Sequence, residues 1–285
     1  MNVYIEIIRP GNAVMAIIAV ALVAIIANNY DIPIILGAIA VFLATGGGNV
    51  INDYFDHKID AINKPERPIP SGRISLNNAH HYASLLFIIA VILGILISYL
   101  INNFTPALIV ALSSLLMYYY AHTLKKKALI GNIVVSLLTG LCFIFAGIII
   151  NADIGSFDIV MISAYLGFFA FLMTMAREII KDMEDIEGDK VEEAKTFPIK
   201  YGLKKSSYLA GFLMILAIVL SPILYFNGIF HSIFYLIFLV VAIIIFFYGV
   251  YTILKNQCHT SCKKASRYVK IGMLIVFIAF AIGSF

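Results

Sequence analysis

The chain has 285 residues, of which 62% are hydrophobic and 13% are charged, and its formal net charge is +4. Apolar runs of about twenty residues, the length that crosses the hydrocarbon core of a bilayer, recur along its whole length. This composition excludes a water-soluble protein, and nothing in it indicates nucleic acid as a partner.

The hydropathy pattern predicts an all-α, polytopic membrane protein with nine transmembrane helices. Arg9 and Pro10 precede the first span without the cleavage site of a signal peptide, so we expect this span to be retained. In chain order, the predicted spans are 12–27, 34–52, 80–101, 105–121, 129–150, 157–180, 207–226, 232–254 and 268–285.

The distribution of basic residues predicts the orientation in the membrane. Lys and Arg in short loops are held on the cytoplasmic side during insertion, and with nine spans all 20 of them fall on one side. The other side carries Asp31, Asp153 and Asp158. We therefore expect a cytoplasmic N-terminus and cytoplasmic loops after the second and sixth spans.

Acidic and amide side chains cluster at the end of the second predicted span. Asn49, Asp53, Asp56 and Asp60 are spaced by four, three and four residues, so a continuous helix would present all four on one face. Carboxylates at the mouth of a membrane span are costly, which points to a functional role. The alternative is a solvated helix end that carries ordinary surface charge.

The end of the sixth predicted span repeats this spacing with Glu178, Asp182, Asp185 and Asp189, each displaced by 129 residues from its counterpart. The repetition predicts a single domain, residues 1–285, with an internal parallel repeat. Because an even number of spans separates the two clusters, we expect their acidic faces at the same membrane surface, facing each other. Whether the second helix ends early at Gly188 stays open.

Two facing acidic clusters require a cation, because like charges at helical-neighbour spacing repel each other. Carboxylate and amide oxygens without Cys or clustered His favour Mg²⁺, which typically takes one or two carboxylates. Water and phosphate oxygens complete its octahedron. The sequence therefore predicts a diphosphate bridged to the protein by metal.

Basic residues adjoin the acidic clusters and suit the same ligand. The loop 63–73 contains three prolines and places Arg67 and Arg73 where they could contact phosphate oxygens. For any single lysine, a topology signal is the alternative. Further candidates for contact with the diphosphate are Lys125, Lys126, Lys181 and Arg177.

An allylic diphosphate that ionises leaves a carbocation, which aromatic faces stabilise. Tyr118, Tyr119 and Tyr120 stand together at the end of the fourth predicted span and are candidates for this role, with the interfacial aromatic belt as the alternative. At the start of the first span, Arg9 and Asn12 either contact the head group of an acceptor or serve helix entry and topology.

Two motifs, Asn52-Asp53-x-x-Asp56-x-x-x-Asp60 and Asp182-x-x-Asp185-x-Glu187-Gly188-Asp189, resemble the signatures of the UbiA superfamily of intramembrane prenyltransferases. The resemblance covers essentially the whole chain. It implies a horseshoe-like bundle whose cavity opens to lipid beneath two cytoplasmic cap loops. It implies Asp53, Asp56, Asp182 and Asp185 as catalytic residues. It also implies two Mg²⁺ ions bound by Asn49, Asn52, Asp53, Asp56, Asp60, Asp182, Asp185 and Asp189.

Three stretches are similar to the superfamily members that make archaeal ether lipids: Ile8-Arg9-Pro10-Gly11-Asn12, Gly46-Gly47-Gly48-Asn49 and Arg67-Pro68-Ile69-Pro70-Ser71-Gly72-Arg73. This similarity implies transfer of a geranylgeranyl group from geranylgeranyl diphosphate to the hydroxyl of geranylgeranylglyceryl phosphate. The expected location is the cell membrane, with a cytoplasmic active site and no obligatory protein partner. Two alternatives stay open: a prenyltransferase with an aromatic acceptor, as in quinone synthesis, and a cation transporter that uses buried acids.

Overall fold

The structure is a computed structural model that describes residues 2–191 and 194–284. Within these ranges the chain is helical and has no strand, and an isolated β-bridge joins Lys127 and Lys195. The helices are α1 Val3–Ile7, α2 Pro10–Ala27, α3 Ile32–Asn63, α4 Leu76–Leu100, α5 Thr105–His122, α6 Ile130–Ile154, α7 Phe157–Glu184, α8 Ile186–Val191, α9 Phe197–Tyr201, α10 Leu203–Leu220, α11 Ile223–Phe226, α12 Ile233–Lys255 and α13 His259–Gly283.

Eight segments in the described ranges are long and apolar enough to cross a membrane. They are α2, α3, α4, α6, α7, α12, α13, and α10 with α11 as Leu203–Phe226. The fourth predicted span is also a helix, α5, but its 18 residues include three tyrosines and a terminal histidine, and it is not among the eight. The chain is thus a multi-pass membrane protein, and its ninth span stays a prediction.

Several element boundaries differ from those predicted. α3 continues past Asn52, the end of the second predicted span, to Asn63, so the helix is continuous through Asp60, as a common face for the first acidic cluster requires. α13 begins at His259, so its first turns carry polar and basic residues. α10 and α11 are separate helices because Pro222, between them, has no amide hydrogen to continue the helical ladder. The predicted end of the last span, Phe285, lies outside the described residues.

The chain forms two compact units, and the first comprises Met1–Leu124 with Cys142–Ala164. In this unit α3 packs against α2, α4 and α5. Glycines permit the close contacts: a Cβ on Gly47 would lie 3.0 Å from the Phe87 ring, and one on Gly48 would lie 2.7 Å from Met117 Sδ. The second half of α3, which carries the first acidic cluster, is therefore firmly seated among its neighbours.

The second unit comprises Lys125–Leu141 with Tyr165–Phe285. Here α6 and α7 touch through their backbones, because a Cβ on Gly140 would lie only 2.7 Å from the Gly167 carbonyl oxygen. Small residues that let helices approach in this way are typical of membrane proteins. In the same unit α12 packs along α13 and against α10. The single domain and the internal repeat predicted from the sequence stay predictions.

Candidate active site

The first acidic cluster lies on one face of α3. The helix is unbroken from Ile32 to Asn63, so the spacing of Asn49, Asp53, Asp56 and Asp60 places all four on a common face. Asp53 and Asp60 are buried, with 4% and 5% of their surface exposed. Carboxylates buried to this degree need positively charged or hydrogen-bonding partners.

Arg9 is one such partner, since its guanidinium bonds to the Asp53 carboxylate. Arg9 has a φ of 50°, in the left-handed region that residues other than glycine seldom adopt. The preceding residue, Ile8, is buried beside Ile51, and its carbonyl oxygen accepts a hydrogen bond of 2.8 Å from Asn49 Nδ2. The N-terminal segment is therefore fixed against the acidic face of α3.

Arg67 is the second partner, and it joins two carboxylates. Its Nη1 atom lies 2.5 Å from Asp60 Oδ2 and 3.3 Å from Asp53 Oδ1. The loop that carries Arg67 is closed by a hydrogen bond of 3.2 Å from Ile74 N to Pro68 O. A residue predicted to contact the diphosphate thus lies directly beside predicted metal ligands.

Arg73, predicted for the same role, contacts the N-terminal segment instead of the acidic cluster. Its Nη1 and Nη2 atoms donate to the Glu6 carboxylate at 2.6 Å and 2.8 Å, and Nη2 also donates to Glu66 O at 2.6 Å. The hydrogen bonds from Arg73 lower the pKa of Glu6 from its ordinary value. A role of Arg73 in diphosphate binding stays a prediction.

The second acidic cluster is carried by two helices. α7 ends at Glu184 and α8 begins at Ile186, so Asp185 lies at a break and Asp189 follows it in a short helix. The backbone remains coiled at the break, because Asp189 N donates to Asp185 O at 3.0 Å. The helix is interrupted before Gly188, the residue at which the sequence suggested that it could end early.

Asp182 is held by an amide, and it forms no ion pair with any residue that the structure describes. Asn132 Nδ2, on α6, donates to Asp182 Oδ2 at 2.8 Å, and Asn132 is 7% exposed. Glu178, one turn earlier, is contacted by Arg177 at 3.0 Å and by Lys181 at 3.3 Å. Asn132 is not among the residues predicted from the sequence. The signal that points to it is a polar residue inside the fifth predicted span.

The predicted diphosphate residues Lys125 and Lys126 lie in a 3-10 turn before α6. Lys195 N donates to Lys126 O at 2.9 Å, and Ala194 N donates to Asp189 O at 3.0 Å. The lysine turn is therefore tied to the segment that follows the second acidic cluster.

The tyrosine triplet begins beside α3. Tyr118 presents its ring edge-on to Phe55, with centroids 5.5 Å apart, and Phe55 neighbours the acidic residues of α3. Tyr119 is 52% exposed and Tyr120 is half-buried. Asn12, predicted with Arg9 to contact an acceptor, is exposed at the start of α2.

Residues 13–283 match the UbiA prenyltransferase family. The chain belongs to this family. It is 57% identical over 285 residues to the digeranylgeranylglyceryl phosphate synthase of Methanobrevibacter smithii. The aligned region covers 100% of this chain and 99% of that relative. A solved structure of a digeranylgeranylglyceryl phosphate synthase superposes with a TM-score of 0.80 at 40% identity, over 99% of this chain and 97% of the other.

A more distant UbiA homologue, from Archaeoglobus fulgidus, was solved bound to GPP and Mg²⁺. It superposes with a TM-score of 0.61 at 14% identity, over 96% of this chain and 99% of the other. At that identity the similarity establishes the fold alone. The UbiA fold of the chain is thus supported by both close and distant relatives.

The donor groups of this UbiA protein suit Mg²⁺. Asp53 and Asp60 converge on one positive group, the Arg67 guanidinium, which shows that these two carboxylates can share a cation. In the part of the chain that the structure describes, no three His, Cys, Asp or Glu side chains form a metal-holding group. Mg²⁺ needs only one or two carboxylates, since water and phosphate oxygens supply its other ligands. The residues therefore fit an ion bound jointly by protein and diphosphate.

Proposed function

We propose that this protein transfers a geranylgeranyl group from geranylgeranyl diphosphate to the free hydroxyl of geranylgeranylglyceryl phosphate. The product is the second ether bond of an archaeal membrane lipid. The observation that carries this proposal is the full-length similarity to the digeranylgeranylglyceryl phosphate synthase of Methanobrevibacter smithii. The similarity to a solved synthase of the same name supports it.

The proposed cofactor is Mg²⁺, as two ions. When bound, it would supply positive charge that offsets the charge of the departing diphosphate. Support comes from the buried carboxylates of α3, from the oriented Asp182 carboxylate, and from the Archaeoglobus fulgidus homologue bound to Mg²⁺. The proposed ligands are Asn49, Asn52, Asp53, Asp56, Asp60, Asp182, Asp185 and Asp189.

Basic side chains are proposed to hold the diphosphate. The position of Arg67 against Asp53 and Asp60 supports its role, because a guanidinium next to metal ligands can also contact metal-bound phosphate oxygens. The pairing of Lys181 with Glu178 keeps its ammonium group one turn from the second cluster. The remaining candidates are Arg73, Lys125 and Lys126.

In the proposed reaction, the bond between C1 of the prenyl group and the diphosphate oxygen breaks, and the acceptor hydroxyl oxygen bonds to C1. The hydroxyl proton passes to a carboxylate or to the departing diphosphate. Ring faces of Tyr118, Tyr119 and Tyr120 are proposed to stabilise positive charge on the prenyl group. The contact of Tyr118 with Phe55 on α3 supports this role.

Arg9 and Asn12 are proposed to contact the acceptor head group. Arg9 is suited to a phosphate because its guanidinium already lies at the acidic cluster, held there by the buried Ile8. We further propose nine spans, two cap loops and a cytoplasmic active site. The segregation of all 20 basic residues to one side under a nine-span topology supports this arrangement.

The test is transfer of radiolabelled geranylgeranyl diphosphate by the purified protein, with geranylgeranylglyceryl phosphate or 4-hydroxybenzoate as acceptor. We expect a Mg²⁺-dependent labelled diether, absent in Asp53→Ala. A product from 4-hydroxybenzoate alone would retain the prenyltransferase and overturn the acceptor. No product from either acceptor, with folded protein, would contradict the proposed function and favour cation transport.

A further inference from the structure

The last part of the chain is rich in positive charge. Residues 194–285 contain nine Lys or Arg and no Asp or Glu. Eight of the nine lie in the second unit on α9, α10, α12 and α13, and all eight side chains are exposed. We refer to these eight residues as the basic surface: Lys200, Lys204, Lys205, Lys255, Lys263, Lys264, Arg267 and Lys270.

Helix packing brings the segments of the basic surface together at one end of the second unit. The start of α10, the end of α12 and the start of α13 are adjacent there. A Cβ on Gly249 of α12 would lie 3.0 Å from Met214 of α10 and 3.7 Å from Tyr268 Cβ of α13. A Cβ on Gly211 would lie 3.8 Å from Leu254, in the last turn of α12. The exposed cations of these helices, together with Lys200 on α9, which packs against α10, therefore lie at one end of the second unit.

The cations of the basic surface have no carboxylate partner in the part of the chain that the structure describes. No ion pair within residues 2–191 and 194–284 involves the basic surface. One carboxylate, that of Glu184, lies 3.9 Å from His259 Nε2 at the start of α13. By contrast, Arg9 and Arg67 each contact a buried carboxylate. The ammonium groups of Lys200 and Lys255 lie over the rings of Tyr201 and Tyr251, and all eight cations of the basic surface are exposed to anions outside the protein.

The depth of α13 in a bilayer points to the kind of anion that meets this charge. Counted back from the helix end at Gly283, about twenty residues, the length that crosses the hydrocarbon core, reach Lys264. Lys264, Arg267 and Lys270 therefore lie near the boundary between hydrocarbon and head groups. Long basic side chains at that depth extend to the interface, where lipid phosphates are the available anions.

We propose that the basic surface binds the phosphate groups of anionic lipids in the leaflet that it faces. Four to eight Lys or Arg residues next to a membrane span typically attract anionic lipid. Membrane topology requires only an excess of basic residues on one side, whereas this surface groups exposed cations that form no ion pair with any described carboxylate. The basic surface would also concentrate a lipid phosphate that serves as acceptor. That consequence rests on the proposed function, whereas the binding of anionic lipid does not rest on it.

The absence of Trp from the chain allows a single reporter to be introduced. Tyr248→Trp places the reporter at an exposed position of α12 near the basic surface. Phe234→Trp places the reporter at an exposed position in the first turn of the same helix. The full-length protein is reconstituted in bilayers, and quenching by brominated phosphatidylglycerol is compared with quenching by brominated phosphatidylcholine. We expect about a fivefold preference for phosphatidylglycerol at Tyr248→Trp and none at Phe234→Trp. Equal preference at the two reporters would overturn the proposal.

Charge removal provides the second arm. In the Tyr248→Trp background, Lys263→Gln/Lys264→Gln/Arg267→Gln should reduce the preference to about twofold or less. A second variant on α10, Lys204→Gln/Lys205→Gln, should also reduce it and replaces the first if that one does not fold. Lys58→Gln, an exposed cation of the first unit, is the matched control and should change nothing.

The source of the phosphate is tested last. Inorganic phosphate added at constant ionic strength should leave the lipid preference unchanged. Loss of the preference in phosphate but not in chloride would assign the surface to a soluble phosphate and overturn lipid binding. An undiminished preference in both charge variants would overturn it as well.

Discussion

The Arg67 guanidinium lies 2.5 Å from Asp60 Oδ2, and this contact offsets one of two carboxylate charges buried on α3. Removing one partner of a buried ion pair leaves the other charge uncompensated. We therefore expect Arg67→Met to lower the free energy of unfolding by about 3 kcal/mol in the absence of metal. Millimolar Mg²⁺ should restore part of the loss, because the proposed ion would bind the carboxylates that Arg67 leaves. Thermal unfolding in detergent, with and without Mg²⁺, measures both effects.

The matched control for Arg67→Met is Arg73→Met, since Arg73 belongs to the same loop but pairs with Glu6 in an exposed position. Exposed ion pairs contribute little to stability. Arg73→Met should therefore shift the unfolding temperature only slightly and show no Mg²⁺ rescue. Equal losses in the two variants would contradict the role assigned to Arg67.

The Asn132 amide is expected to orient Asp182 for metal binding. Groups that hydrogen-bond to metal ligands typically change metal affinity or activity by about 10–100-fold when they are removed. Asn132→Leu should therefore weaken binding of Mn²⁺, measured by electron paramagnetic resonance as a substitute for Mg²⁺, by about tenfold. The same variant should need more Mg²⁺ for transfer activity, whereas Asn132→Gln should recover part of the affinity.

Ser136→Ala is the control for Asn132, because Ser136 is buried one turn further along α6 and donates to Asn132 O at 2.6 Å without contacting Asp182. It should leave Mn²⁺ affinity within about twofold of the original. If Ser136→Ala weakens metal binding as much as Asn132→Leu does, then general disturbance of α6 is the cause and the orienting role is wrong.

The arrangement of the first acidic cluster could be predicted from the sequence, because α3 is continuous and helical periodicity alone brings its four members to one face. They are Asn49, Asp53, Asp56 and Asp60. The membrane spans followed from hydropathy for the same kind of reason: each signal is local. The break at Asp185 was not predicted, since Gly188, the residue that suggested a helix end, lies inside α8.

Contacts between distant segments could not be read from spacing. Asn132 and Asp182 are 50 residues apart, and Arg9 and Asp53 are 44 residues apart. Such pairs depend on how the helices pack, and no periodic pattern encodes them. The positive charge of Arg67 and Arg73 made both of them candidates for phosphate contact. It could not show that Arg67 contacts the acidic face of α3 and that Arg73 contacts Glu6.

Cys258 is expected to be the reactive thiol of the protein. It is exposed at the start of α13, where the hydroxyls of Ser261 and Thr260 and nearby backbone N–H groups stabilise its thiolate and lower its pKa to about 7. Because the thiolate is the nucleophile, its alkylation rate should rise with pH and reach half of its maximum near pH 7. The rate of iodoacetamide labelling, measured in steps of about one pH unit between about pH 5 and 10, gives this midpoint.

Ser261→Ala removes the largest stabilising contact and should shift the midpoint of Cys258 alkylation to higher pH. Cys262, one turn further along α13, is buried and should stay unlabelled in the folded protein. A midpoint near the ordinary value of a thiol in the unsubstituted protein, unchanged by Ser261→Ala, would contradict the expected stabilisation of the thiolate.

The backbone contact between Gly140 and Gly167 predicts a specific loss of stability. A Cβ on Gly140 would lie 2.7 Å from the Gly167 carbonyl oxygen, and backbone cannot move aside as a flexible side chain can. Gly140→Ala should therefore separate α6 from α7 and cost about 1–3 kcal/mol, measured as a shift in the unfolding midpoint in mixed micelles with increasing dodecyl sulfate. Gly167→Ala should cost a similar amount, because its Cβ would lie 2.6 Å from the Gly140 carbonyl oxygen.

The double variant separates this mechanism from a general effect of alanine. Once one substitution has moved the helices apart, the second meets less resistance, so Gly140→Ala/Gly167→Ala should cost less than the sum of the two single changes. Gly11→Ala, in a helix with nothing within 4 Å of the added Cβ, is the control and should be neutral or slightly stabilising. Full additivity of the two single changes, or an equal loss from Gly11→Ala, would show that the close approach of α6 and α7 does not set the stability of this helix pair.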